Sequence, residues 1–167
     1  PALNGREYEL DPDVTAIGAM HALQKLGRIG GIFMGGHRPG FGPPHRDALR
    51  VVADQVGAPT PAHWIADATA DLLRQSDGVS GTWHLTSAGQ ASWHEFASAI
   101  FEEAHAAGLL ARQTRVEPIT TEEFPTPARR PAYSVLDTGR LRADFGIEPP
   151  TWRAGLREVI AQLASGA

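Results

Sequence analysis

The 167-residue chain has no cysteine, so disulfide frameworks, thiolate metal sites and cysteine nucleophiles are excluded. It also lacks an excess of positive charge: 15 Lys and Arg stand against 19 Asp and Glu, a formal net charge of -4. With no cationic run longer than Arg129-Arg130, nucleic acid is not an expected partner. No apolar run approaches the roughly 18 residues that span a bilayer, and no basic-then-apolar leader opens the chain. A soluble, cytoplasmic protein without a membrane partner is expected. The first residue is Pro1 and not Met, as in a processed chain or a piece of a longer one.

What is present is globular in composition, with 42% apolar and 20% charged residues. A chain near this length buries roughly 70% of its unfolded surface and can own a core. Residues 27–44 are crowded with Gly and Pro and have neither helical nor strand periodicity, which reads as loop. A glycine cradle for phosphates is the sharper alternative. Such cradles sit between a strand and a helix, and no convincing strand precedes this one. Residues 1–46 are therefore expected to be an irregular segment or remnant, and residues 47–167 an ordered lobe.

Within that lobe, residues 49–53 read as a strand. Thr60 can cap a helix with Pro61 in its first turn, burying Trp64, Ala68 and Leu72 together with Ile65 and Leu73. Residues 81–86 alternate as a strand does. Ser92-Trp93-His94-Glu95 is a capping box, opening a helix that buries Phe96, Ile100 and Ala104 and should stop at Gly108. Residues 115–119 read as a strand, followed by a second capping box at Thr120 to Glu123 that Pro125 cuts short. Asp137 or Thr138 starts a helix carrying Leu141 and Phe145 and ended by Gly146. Thr151 caps a last helix with Trp152, Leu156, Ile160 and Leu163 on one face. Strands alternating with helices predict an α/β fold, a small sheet with flanking helices.

Three segments resemble the dTDP-4-dehydrorhamnose reductase family in order and spacing: VVADQVGAPT at residues 51–60, GTWHLTSAGQASWHEFA at 81–97 and PITTEEFPTPARRPAYSVLD at 118–137. The tail FGIEPPTWRAGL at 145–156 continues the match. The resemblance implies the C-terminal lobe of an extended short-chain dehydrogenase, an oxidoreductase of dTDP-rhamnose biosynthesis that reduces a dTDP-linked keto-sugar with NADPH. The Gly-rich dinucleotide fingerprint is not found, so no complete NADPH site is expected within this chain alone. The family's proton donor is a Tyr in a Y-x-x-x-K helix. One register places His21 and Lys25 at those two positions, another places Pro12 and Ala16 there, and neither keeps the Tyr.

The resemblance further implies that Asp54, Gln55 and Thr60 lie near substrate, although Gly57 and Pro59 could simply shape a turn and Thr60 cap a helix. Arg129 and Arg130 lie in PTPARRP, where prolines hold an extended backbone and guanidinium forks match phosphate oxygens. The alternative for both is pairing with Glu122, Glu123 or Asp137. The family's x-N-S after this motif is here Ala132-Tyr133-Ser134, with Ser134 retained as a substrate contact. Trp83, Trp93 and Trp152 read as core. Some family members hold a metal at a dimer contact through a carboxylate where this chain has His63, so no metal is expected. The ligand implied is a dTDP-linked sugar, with a homodimer or a completing partner chain left open. The rival reading is a non-catalytic regulatory or sugar-nucleotide-binding module, or an inactive truncated product.

Overall fold

A computed structural model describes residues 29–30, 48–75, 79–126 and 129–165. In chain order the elements are β1 (Ile29–Gly30), β2 (Ala48–Val52), β3 (Val56–Gly57), β4 (Thr60–Pro61) and α1 (Ala62–Gln75). There follow β5 (Ala91–Ser92), α2 (Trp93–Ala106), β6 (Arg115–Ile119), α3 (Gly139–Phe145) and α4 (Trp152–Ser165). The α/β class expected from sequence is the one adopted. The strands of the described residues form three short pairs instead of one sheet: β1 with β4, β2 with β6, and β3 with β5.

The longest pair, β2 and β6, is parallel, from Ala48 opposite Arg115 to Val52 opposite Ile119. A parallel pair needs a long crossover, and the chain between the two strands carries both α1 and α2. Val51 and Ile119 are buried. The Ala53 amide donates to the Ile119 carbonyl at 2.9 Å and extends the ladder to the edge of the segment that follows.

The core sits where α2 meets α4. Helix α2 starts on a complete capping box: the Glu95 amide donates to the Ser92 hydroxyl at 3.1 Å, and the Ser92 amide donates to the Glu95 carboxylate at 2.7 Å. It ends just before Gly108, whose φ of +75° an L side chain would resist. Phe96, Ile100 and Ala104 are buried as their spacing predicts, and Ala99 joins them against Leu156, Val159 and Ile160 of α4. Trp93, Trp152 and Leu163 pack on this cluster while only partly buried. Val159, fully buried, adds a row to the face read from sequence. Thr151 caps α4 by accepting from the Ala154 amide at 3.3 Å. Gly155 lets α4 approach β4, since a Cβ there would lie 2.5 Å from Pro61 Cγ.

Several expectations are corrected. Residues 81–86 form no strand among the described residues; side chains hold them instead. The Trp83 indole donates to Asp144 at 2.7 Å, the Arg140 guanidinium takes the Thr82 carbonyl at 3.2 Å, and Trp83 meets Phe145 edge-on at 5.2 Å. In α1 only Ala68 is buried, and Leu73 is 73% exposed, because the described elements cover just one edge of that helix. Thr60 does not cap α1. It lies in β4, buried, its hydroxyl donating to the Ala58 carbonyl at 2.8 Å and accepting from the Ser87 amide at 3.0 Å. Ile29–Gly30, inside the stretch read as irregular, pairs with Pro61 and Thr60. Two backbone positions can pair without any side-chain periodicity to announce them. The second capping box closes only by half: Glu123 accepts from the Thr120 amide at 2.9 Å over a turn, and no helix follows.

Candidate functional site

The strand β3 is the organising line of the site. On one side Val56 and Gly57 pair antiparallel with Ser92 and Ala91 of β5. On the other, Val56 bridges Tyr133: its amide donates to the Ala132 carbonyl at 2.8 Å, and the Ser134 amide donates back to the Val56 carbonyl at 2.9 Å. The Ser134 hydroxyl also donates to that carbonyl, at 3.1 Å. A Cβ at Gly57 would come within 3.1 Å of the same hydroxyl, which is why the seam closes tightly at this glycine. Segments 51–60, 81–97 and 118–137, far apart in sequence, therefore meet at one short strand.

Just before β3, Asp54 and Gln55 fasten the turn that follows β6. Both Asp54 oxygens accept from the Thr121 amide at 3.0 Å, and the Thr121 hydroxyl donates to one of them at 2.7 Å. The Thr121 hydroxyl and then its amide hold the Asp54 carboxyl below its ordinary value of 3.8, because both bonds favour the ionised form. Gln55 donates to the Thr121 hydroxyl at 3.0 Å, which leaves its amide oxygen outside this bond. Sequence reasoning placed Asp54 and Gln55 near a ligand and did not foresee that both would be tied to Thr121.

Arg129 and Arg130 are exposed, and among the described residues neither takes part in a hydrogen bond or ion pair. The carboxylates weighed as their partners are engaged otherwise or free of them. Glu123 is bound by Arg50, and Asp137 accepts from the Gly139 amide at 2.8 Å at the start of α3. Two cations thus stand on a proline-flanked segment whose continuation, residues 132–134, is clamped to β3. Tyr133 was not singled out as a contact by the sequence. Its hydroxyl donates to the Gln90 side-chain oxygen at 3.2 Å across β3, yet the residue is 60% exposed.

Beyond the seam, a cleft of about 190 Å³ lies between residues 87–89 and 135–138, edged by Arg142 and Glu148. His63 of α1 stands 3.2 Å from Glu158 of α4. Among the described residues no group of three or more His, Asp or Glu side chains could hold a metal ion, and no helix is long and apolar enough to cross a membrane. His21 and Lys25 lie outside the described residues.

Residues 44–165 match the family model of the RmlD substrate binding domain. The chain belongs to that family. It is 46% identical over 130 residues to the dTDP-4-dehydrorhamnose reductase of Burkholderia thailandensis, a match covering 72% of this chain and 43% of the relative. The crystal structure of a dTDP-4-dehydrorhamnose reductase from Clostridium acetobutylicum superposes with a TM-score of 0.62 at 39% identity, over 70% of this chain and 39% of that one. A Bacillus anthracis dTDP-4-dehydrorhamnose reductase, solved in complex with NADP, superposes with a TM-score of 0.65 at 28% identity, over 93% of this chain and 44% of that one. The chain thus spans about two fifths of the length of these relatives. Within the RmlD substrate-binding domain so defined, all three segments that carried the resemblance fall inside the matched residues.

Proposed function

We propose that this chain is the substrate-binding part of a dTDP-4-dehydrorhamnose reductase, gripping a dTDP-linked sugar, with the lobe occupying residues 47–167. The observation that carries the reading is the placement of Arg129 and Arg130: two guanidinium groups with no partner among the described residues, followed by Pro131, on a segment that runs into the seam holding Gln55 and Ser134. Guanidinium forks pair bidentately with phosphate oxygens, and a proline-flanked backbone loses little entropy when it holds them there. In this reading at least one of the two arginines binds the diphosphate. Gln55, its amide oriented by Thr121, positions the sugar, and Ser134 adds a polar contact at the edge of β3. Asp54 and Thr60 act by holding the frame, through Thr121 and through the Ala58 and Ser87 backbones.

The described residues do not fit a dinucleotide. Their three glycines of positive φ are Gly89, Gly108 and Gly146. Gly108 follows α2, Gly146 caps α3, and a Cβ on Gly89 would lie 3.3 Å from the Trp152 ring, so none opens a strand-turn-helix cradle. Hydride transfer is accordingly assigned to no residue described here.

The test is calorimetry with dTDP and dTMP on the parent chain, Arg129→Ala and Arg130→Ala. At least one substitution is expected to weaken dTDP binding by about 1.5–3 kcal/mol, one to two decades in affinity, with a smaller loss for dTMP. Unchanged dTDP affinity in both variants would refute the assignment.

A further inference from the structure

We infer that Tyr133 is the platform on which the nucleoside of the nucleotide-sugar rests, a role that depends on the site reading above and extends it to a residue beside Ser134. Three observations converge on it. The Tyr133 backbone is pinned, because the residues before and after it both bond to Val56, at 2.8 and 2.9 Å. Its hydroxyl is pinned as well, at 3.2 Å from the Gln90 oxygen. The residue nevertheless remains 60% exposed. A ring fixed at both ends and left in solvent adds little to the core, while its ordering cost is met before any ligand arrives.

Several other aromatic groups of the described residues are committed elsewhere. Trp83 is engaged with Phe145 and Asp144, and Trp93 and Trp152 pack on the α2–α4 core. Phe124, 42% exposed, precedes the arginines and has no side-chain polar tether comparable to the Tyr133 hydroxyl. Tyr133 follows Arg130 by three residues, at most about 10 Å of extended chain. A diphosphate held by Arg130 can therefore place one of its two substituents over the Tyr133 ring.

Which substituent it is follows from the chemistry. The sugar is the substituent assigned to Gln55 above, which leaves the nucleoside for the Tyr133 ring. The nucleoside is the remote handle that the lobe can hold, and binding energy from such non-reacting parts supports orientation at the reacting end. A pyrimidine offers a flat π face suited to a tyrosine ring.

The experiment uses the full chain with dTDP and inorganic pyrophosphate as probes, by calorimetry and by proton NMR of the thymine methyl group. Tyr133→Ala is expected to weaken dTDP at least about tenfold and leave pyrophosphate unchanged, while Tyr133→Phe keeps most of the dTDP affinity. The methyl resonance should move upfield on binding to the parent and to Tyr133→Phe, and not on binding to Tyr133→Ala. Three results would each overturn the role: equal losses for both probes in Tyr133→Ala, a Phe variant as weak as the Ala variant, or an upfield shift that persists without the ring and vanishes in Phe124→Ala. If Arg130→Ala weakens dTDP and Tyr133→Ala does not, the site reading stands and this inference alone fails. A parent chain that binds neither probe removes both.

Discussion

The α2–α4 core and the β3 seam lie side by side and are built on opposite terms. The core is a contact between two apolar faces: Phe96, Ile100, Leu156 and Val159 are almost wholly buried, and their stabilisation comes from area removed from water and from close packing. The seam buries little beyond Thr60, Ala91 and Ser92. It is drawn together by directed bonds, from Val56 to residues 132 and 134 and from Thr121 to Asp54 and Gln55, and it leaves Tyr133, Arg129 and Arg130 exposed. The difference teaches that this lobe keeps its apolar core in one place and its exposed polar groups in another, where the proposed ligand contacts lie. The two meet at β5, where Ala91 pairs with Gly57 and joins the core cluster while Ser92 pairs with Val56 and caps α2.

The largest effect expected is on the core side. Phe96→Ala should cost about 3–5 kcal/mol in chemical denaturation, through lost transfer energy and the cavity left behind. The folded fraction should keep the dTDP affinity of the parent. A matching loss of affinity in the folded protein would break the comparison. A smaller loss is expected from Gly155→Ala, where the added Cβ meets Pro61 Cγ at 2.5 Å and α4 must back away from β4. Such overpacking typically costs about 1–3 kcal/mol. Thermal melts of Gly155→Ala beside Gly108→Ala, whose added Cβ meets nothing within 4 Å, separate packing from backbone strain.

The smallest effect belongs to the seam, and its pH dependence is confined to acid. The Thr121 bonds depress the Asp54 carboxyl in the folded chain below its ordinary 3.8, so the unfolded chain takes up the proton more readily. The associated stabilisation is complete above the ordinary value and is lost as pH falls through the depressed folded one. The stability difference between the parent and Asp54→Asn should therefore be constant near neutrality and narrow below about pH 4. Denaturation series across that range measure it, and a gap that widens in acid would reverse the sign argued here.

Much of the helical framework was legible in the sequence. The capping box at Ser92 and Glu95, the stop at Gly108, the α2 face and the strand at residues 115–119 were all read from local pattern, because caps, left-handed glycines and helical spacing act within a few residues. Failures came where a remote segment decided. Residues 81–86 alternate like a strand and are anchored instead by Asp144 and Arg140. Thr60 looks like a cap and serves as a buried cross-link to Ser87.

The site divides along the same line. Residue types offered the arginines as candidate phosphate ligands, with pairing to Glu122, Glu123 or Asp137 as the alternative, and the order of the three segments carried the family resemblance, since guanidinium chemistry and motif order are properties of the chain. That Asp54 and Gln55 both fasten Thr121, that Arg129 and Arg130 are left unpaired among the described residues, and that Tyr133 reaches over β3 to Gln90 were decided only in three dimensions. These are relations between residues 43 to 67 positions apart, or between a group and the described residues around it, and local sequence pattern carries no distance across such gaps.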